Sequence, residues 1–172
     1  MNTVYVISGP PAVGKSTVSK IIADSLSSSA LIHADQIYHM VVGGHLPPWK
    51  SDSQIGLMWD NILCLVSNFI NSGVDVVVDA VAFPKDMEKV YRLVMENKIR
   101  LKYVILLANE TTLAKRDGNR QEQMGNRSLE VLKEFLDLKL SAYYLLNTDS
   151  MTPEQVADTI MDEQSYWFQA ID

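Results

Sequence analysis

The chain has 172 residues, of which 47% are hydrophobic and 21% are charged, and its formal net charge is −6. This composition predicts a single globular domain over residues 1–172 with room for one full core. The acidic balance, without a long run of Lys and Arg, argues against nucleic acid as a partner.

One cysteine, Cys64, excludes a disulfide within the chain and fits a reducing compartment. The first residues carry no basic segment, and no apolar run reaches the length of a membrane span, so we expect neither a signal peptide nor a membrane anchor. These features predict a cytoplasmic protein, either a monomer or a homodimer, that does not bind membranes.

Short apolar runs alternate with apolar residues at helical spacing along the whole chain. We predict strands over Val4–Ile7, Ala30–Ala34, Val74–Val78, Leu101–Ala108 and Tyr143–Leu146. We predict helices that begin near Lys15 and Pro153, and others over Ile55–Phe69, Pro84–Val94, Asn109–Arg116 (or to Arg120) and Leu129–Leu140. Strands that alternate with helical crossovers predict a parallel α/β sheet covered on both faces.

The stretch GPPAVGKST, Gly9 to Thr17, follows the first strand and opens a helix. It has the pattern G-x-x-x-x-G-K-[ST] of a phosphate-binding loop. The predicted donors are the backbone N–H groups of Ala12, Val13, Gly14, Lys15, Ser16 and Thr17, together with the positive end of the helix dipole.

Two prolines stand in this loop although proline has no N–H to donate. Pro10 and Pro11 occupy the end next to the strand, whereas the donors are needed at the end next to the helix. The prolines are therefore expected to fix φ and to reduce the entropy that the free loop loses on binding phosphate.

The chain resembles the small P-loop kinases: gluconate kinase, shikimate kinase, chloramphenicol phosphotransferase and the polynucleotide-kinase-like group. The resemblance rests on GPPAVGKST, on IHAD (residues 32–35), on VVVDA (residues 76–80) and on LAKRDGNR (residues 113–120). It implies a three-layer α/β/α fold with a five-stranded parallel sheet of order 2-3-1-4-5.

The segment MVVGGHLPPW, Met40 to Trp49, resembles the segment of gluconate kinases that precedes a long helix, although their acidic-Asp-Arg run before Pro-Trp is absent. This makes chains described as gluconate kinases the most similar group. The resemblance implies an ATP- and Mg²⁺-dependent kinase whose acceptor is a sugar acid such as gluconate, bound by residues of about 35–60. An antibiotic or a nucleoside is the alternative acceptor.

Two aspartates stand where predicted strands end. Asp35 is a candidate base or orienting residue for the acceptor hydroxyl, or else a helix cap. Asp79 is a candidate ligand of Mg²⁺, together with the Ser16 hydroxyl, or a contact of the acceptor. Lys15 is expected to reach the β- and γ-phosphates.

Three arginines lie in or beside a polar segment, about residues 117–127, that we predict to be a mobile lid. Arg116 and Arg120 share a helix face and are candidates for binding phosphate, with Arg120 also catalytic, and Arg127 is a third candidate, for the substrate. His39 is a candidate substrate contact, and Trp49 would either stack on the acceptor or anchor its loop.

Two other classes of protein share the phosphate loop. A regulatory GTPase would carry an Asn-Lys-x-Asp run, and the sequence has none. A nucleotide-binding module without acceptor transfer would bind ATP and form no phosphorylated product, an alternative that the sequence leaves open.

Overall fold

The computed structural model describes residues 2–119, 121, 123–138, 140–162 and 166–168. In this part of the chain five strands alternate with seven helices. The strands are β1 (Thr3–Ser8), β2 (Ser29–His33), β3 (Asp75–Asp79), β4 (Arg100–Leu107) and β5 (Leu145–Asn147). The helices are α1 (Lys15–Ser25), α2 (Ala34–Tyr38), α3 (Asp52–Asn71), α4 (Pro84–Glu96), α5 (Glu110–Gly118), α6 (Asn126–Asp137) and α7 (Pro153–Asp162). None of the helices in the described ranges is long and apolar enough to cross a bilayer.

The strands form one parallel sheet in the order β2-β3-β1-β4-β5, which confirms the predicted fold class and strand order. Because all strands run the same way, their carboxyl ends lie along one edge, and the loops that follow them gather there. The chain turns from β1 into the phosphate loop at this edge, next to the ends of β3 and β4.

Side chains of the central strands alternate between two apolar layers, as the period of a strand requires. Val4 and Val6 of β1 point to the layer under α3, α4 and α6, whereas Tyr5 and Ile7 point to the layer under α1, α5 and α7. All four residues are at least 92% buried. The continuous apolar runs seen in the sequence are therefore explained by a sheet with both faces covered.

The two elements near the C-terminal end differ from prediction. The fifth strand begins at Leu145, because Tyr143 and Tyr144 lie in a 3-10 turn that Ser141 caps by accepting a hydrogen bond from the Tyr143 N–H at 3.3 Å. The helix predicted over Leu129–Leu140 is α6, which begins at Asn126 and ends at Asp137. Its buried residues are Ser128, Val131, Leu132 and Phe135, and Leu136 is 56% exposed. Cys64 is exposed.

One buried lysine connects the sheet to the last helix. Lys102 of β4 is only 2% exposed, and its ammonium donates to the carbonyls of Ile160 and Met161 at 2.7 and 2.6 Å. The ammonium also lies 4.7 Å from the centre of the Trp167 ring. A cation at this position satisfies carbonyls of the last turn of α7 and complements the negative end of its dipole.

Candidate active site

The phosphate loop joins β1 to α1 through backbone angles that few residues adopt. Gly9 and Gly14 have φ values of 132° and 109°, and Ala12 has a φ of 65°. A Cβ atom on Gly9 would lie 2.3 Å from the carbonyl oxygen of Leu106, whereas one on Gly14 would meet nothing within 4 Å. Gly9 is therefore required by its packing against β4, and Gly14 by its backbone conformation alone.

The first proline of the loop contributes a carbonyl acceptor. The Pro10 carbonyl accepts a hydrogen bond from the Lys15 ammonium at 3.0 Å and a longer one from the Val13 N–H at 3.4 Å. Gly14 is the N-cap of α1 and offers no side-chain cap, and the first turn of α1 has no acidic residue. The positive end of this helix is thus left without a carboxylate of its own, which suits an anionic ligand.

A cavity of about 800 Å³ opens between the phosphate loop and the helices that follow β2, β3 and β5. Most of the residues predicted from the sequence line it: Ala12, Val13, Gly14, Lys15, Ser16, Thr17, Asp35, Trp49, Asp79, Arg116 and Arg127. Gly9 and His39 are not among its lining residues. Arg120 lies outside the described residues. The structure therefore brings together residues from the N-terminal third and the C-terminal third of the chain.

Asp79 is paired with a histidine of the neighbouring strand. The His33 Nδ1 lies 2.9 Å from Oδ2 of Asp79, and the Asp79 side chain is 8% exposed. The two residues are opposite each other in the parallel register of β2 and β3. Sequence reasoning missed this pair. Its only signal was that both residues lie at or directly after the carboxyl end of a predicted strand.

Asp35 is the second residue of α2, whose N-cap is His33. The helix-cap alternative for Asp35 is therefore wrong, and the cap of α3 is Ser51, which accepts from the Gln54 N–H at 3.2 Å. Asp35 is exposed and lines the cavity. None of the described residues hydrogen bonds to its carboxylate, which leaves the carboxylate available to a ligand.

Arg116 joins the phosphate loop to the loop after β5. Its guanidinium donates to the Val13 carbonyl at 2.7 Å, to the Thr148 hydroxyl at 3.0 Å and to the Thr148 carbonyl at 3.0 Å. The residue lines the cavity beside Met151, Pro153 and Val156, which form an apolar wall. Such a wall suits a flat heterocyclic base, and the guanidinium stands between that wall and the phosphate loop.

Arg127 and Trp49 meet across the opposite part of the cavity. The guanidinium of Arg127 lies 5.4 Å from the centre of the Trp49 ring, a cation–π contact. The same guanidinium pairs with Glu130 at 3.0 Å and with Glu134 at 3.2 Å. These contacts connect the loop before α3 to helix α6.

The segment predicted to be a lid begins at a buried carboxylate. Asp117 of α5 is 6% exposed and accepts hydrogen bonds from the N–H groups of Met124 (3.0 Å) and Gly125 (2.8 Å). These bonds join the C-terminal turn of α5 to the residues just before α6. Sequence reasoning did not single out Asp117.

Further lining residues were missed because their roles depend on tertiary position. They are the aromatic residues Tyr38, Trp59 and Phe83 and the charged residues Asp52, Lys85, Asp86 and Glu134. Burial raises the pKa of Asp86, whose carboxylate accepts from the Phe83 N–H at 2.8 Å and so closes the first turn of α4.

The polar residues fit a magnesium ion held mainly by phosphate and water. Among the described residues no three His, Cys, Asp or Glu side chains are grouped to hold a metal. The Ser16 hydroxyl and the Asp79 carboxylate both line the cavity. One or two protein oxygens beside phosphates are the usual protein share of a Mg²⁺ site, so these two residues fit that ion.

Comparisons with known proteins bear on the family and the fold. The sequence profile of a family described as an AAA domain (AAA_33) matches residues 4–146. Among curated proteins, no sequence matches the chain.

Solved structures share the fold. The tunicamycin resistance protein of Deinococcus radiodurans is 16% identical, with a TM-score of 0.67 over 93% of this chain and 94% of that one. A gluconokinase from Sinorhizobium meliloti 1021 is 18% identical, with a TM-score of 0.65 over 92% and 89%. The APS kinase of Mycobacterium tuberculosis, solved with AMPPNP and APS, is 12% identical, with a TM-score of 0.67 over 94% and 96%. At these identities the likeness establishes the P-loop kinase fold.

Proposed function

The chain belongs to the AAA domain family, and from that premise we propose that it is an ATP-dependent kinase that transfers the γ-phosphate to a hydroxyl of a small polar acceptor. The observation that carries this proposal is a cavity lined both by the phosphate loop and by Asp35, whose carboxylate is bonded to none of the described residues. Two of the structures with this fold are named as kinases of small molecules, the gluconokinase and the APS kinase.

Nucleotide binding is assigned to the end of the cavity beside α1. The N–H groups of residues 12–17 and the uncapped end of α1 would surround the β- and γ-phosphates. The Lys15 ammonium would exchange the Pro10 carbonyl for phosphate oxygen, a stronger acceptor. Arg116 would hold the phosphate loop in place relative to the loop after β5, because it bonds to Val13 in the first and to Thr148 in the second.

Acceptor binding is assigned to the part of the cavity beside α2, α3 and α6. Asp35 would accept the hydrogen bond of the reacting hydroxyl and either remove its proton or orient it. Trp49 and Arg127 would bound the acceptor on the side of α6. Positioning two substrates in one enclosed space supplies most of the rate enhancement in phosphoryl transfer.

Magnesium is assigned to Ser16 and Asp79. When bound, the ion would neutralise charge on the β- and γ-phosphates. His33 would hold the Asp79 carboxylate in one orientation through its Nδ1 contact. The sugar-acid acceptor, the antibiotic or nucleoside alternative, and a location in the cytoplasm stay predictions from the sequence.

The test is acceptor-dependent release of ADP with Mg²⁺ and ATP, across sugar acids, nucleosides and aminoglycosides, beside ATP alone. The expected result is one acceptor class that raises ADP release well above the rate with ATP alone and that gains the mass of one phosphate. Tight ATP binding with no phosphorylated product from any class would instead support a nucleotide-binding module without transfer.

A further inference from the structure

Carboxylates line much of the cavity outside its phosphate end. Among the described residues, four of them lie on α2, α3, α4 and α6: Asp35, Asp52, Asp86 and Glu134. A fifth, Asp79 of β3, is assigned above to Mg²⁺. Two cations, Lys85 and Arg127, accompany them, whereas Lys15 and Arg116 belong to the phosphate end.

Most of these charges already have partners. Glu130 and Glu134 pair with Arg127, Asp79 pairs with His33, and Asp86 accepts from the Phe83 N–H.

Two carboxylates remain. The side-chain carboxylates of Asp35 and Asp52 form no hydrogen bond or ion pair with any residue in the described ranges, and both residues line the cavity. Each lies in the first turn of its helix, and the carboxylate oxygens of both have no direct donor among the described residues.

The aromatic wall beside them also binds a cation. The Trp49 ring is 57% exposed and already has the Arg127 guanidinium 5.4 Å from its centre. Tyr38, Trp59 and Phe83 add further aromatic surface to the cavity. Aromatic faces together with unpartnered carboxylates are the groups that recognise an ammonium ion.

Resting on the kinase function proposed above, we infer that the acceptor carries a positive charge beside its hydroxyl, as a protonated amino alcohol does. Asp35 and Asp52 supply the acceptors for the ammonium and hydroxyl groups. Carboxylates outnumber the cations Lys85 and Arg127 in this wall, so a carboxylate on the acceptor would meet net repulsion, and the sugar acid expected from the resemblance is disfavoured. A matched amine is expected to exceed its neutral analogue in kcat/KM by about tenfold or more, and the acid by a larger factor.

The first experiment uses acceptors that share a carbon skeleton and differ in charge: glucosamine, glucose and gluconate, with kanamycin as a larger polyamine. Acceptor-dependent ADP release is measured with Mg²⁺ and ATP. The inference expects activity in the order amine, neutral, acid, and expects Asp52→Asn to reduce the preference for the amine. Phosphorylation of gluconate in preference to glucosamine would overturn it while leaving the kinase proposal intact.

The second experiment measures the electrostatic potential in the cavity and does not depend on the identity of the acceptor. In a Cys64→Ser background, Ile55→Cys places one thiol in the cavity wall, and Val81→Cys provides a second position if the first variant is unstable. Two methanethiosulfonate reagents are used, one with a trimethylammonium group and one with a sulfonate group. The rate at which each reagent modifies the protein thiol is divided by its rate with a small free thiol in solution. The wild-type chain supplies the control, because its exposed Cys64 does not line this cavity.

The ratio of cationic to anionic modification rates is expected to be about tenfold higher at Ile55→Cys than at Cys64. Adding both Asp35→Asn and Asp52→Asn to the Ile55→Cys variant should remove most of that preference. Equal rates at the two thiols, or a preference for the sulfonate, would overturn the inference. A cationic preference without acceptor-dependent ADP release would leave the charge of the cavity established and count against the kinase proposal instead.

Discussion

Replacing Gly9 by alanine is expected to destabilise the protein by about 2–6 kcal/mol. Two costs combine. The φ of 132° is strained for any L side chain, by about 1–3 kcal/mol. The new Cβ would also stand 2.3 Å from the Leu106 carbonyl oxygen, and a forced contact of this kind costs about 1–3 kcal/mol or more. Leu106 cannot withdraw easily, because β4 is hydrogen bonded between β1 and β5.

Gly14→Ala is the matched control. Its φ of 109° imposes a similar strain, but the added Cβ would meet nothing within 4 Å. We therefore expect Gly14→Ala to lose about 1–3 kcal/mol and Gly9→Ala to lose about 2 kcal/mol more than that. For a chain of this size each kcal/mol lowers Tm by about 2–4 °C. Gly14 lines the cavity and Gly9 does not, so Gly14→Ala should weaken ATP binding more.

The assay is urea denaturation of both variants, followed by ATP titration at a temperature where both are folded. Equal losses of stability would refute the contact with Leu106 as the reason for glycine at position 9. If Gly9→Ala is stable but binds ATP more weakly, glycine is needed at position 9 for phosphate binding, as the motif alone suggests, and not for packing.

Three further substitutions test separate parts of the site and fold. Lys15→Ala should lower transfer about 10²–10³-fold while Tm changes little, because the ammonium serves the ligand, and near-normal turnover in a coupled ADP assay would contradict the phosphate-loop assignment. Asp35→Asn should lower acceptor-dependent turnover by about 10²-fold with ATP affinity and Tm kept, and a variant that loses only stability would show a structural residue. Lys102→Met should lower the free energy of unfolding, measured by urea denaturation, by about 2–4 kcal/mol, because two carbonyls at the end of α7 lose their donor. The control is Lys89→Met on the exposed face of α4, which should change the free energy of unfolding by less than about 1 kcal/mol.

The sheet could be predicted from the sequence because its signals are local. Continuous apolar strands, the glycine loop and the capping box Thr152–Gln155 each indicate their structure over a few residues. That box forms in the structure, with the Thr152 N–H donating to the Gln155 side chain at 2.9 Å. The fifth strand was misplaced because Tyr143 and Tyr144 have high strand propensity, whereas Tyr144 instead packs against Tyr103 and Phe168.

The site was only partly predictable, since its polar pairs form between distant parts of the chain. His33 and Asp79 are 46 residues apart, and Arg116 reaches Val13 across 103 residues. A strand-end position marks a residue as near the site but does not name its partner. Asp52 and Glu134 were missed for the same reason, because in the sequence they resemble ordinary charged residues on the surfaces of helices.

The pairing of His33 with Asp79 helps to fix the register of β2 against β3. β2 is an edge strand with only one buried residue, Ile32, so its apolar pattern defines its alignment weakly. A slip of one residue would leave the Asp79 carboxylate in the protein interior without its partner, which makes misaligned states unfavourable. The slip would also carry Asp35 about 3.3 Å along the sheet. A polar contact between two strands therefore selects the aligned state during folding and, through it, fixes where Asp35 stands relative to the phosphate loop.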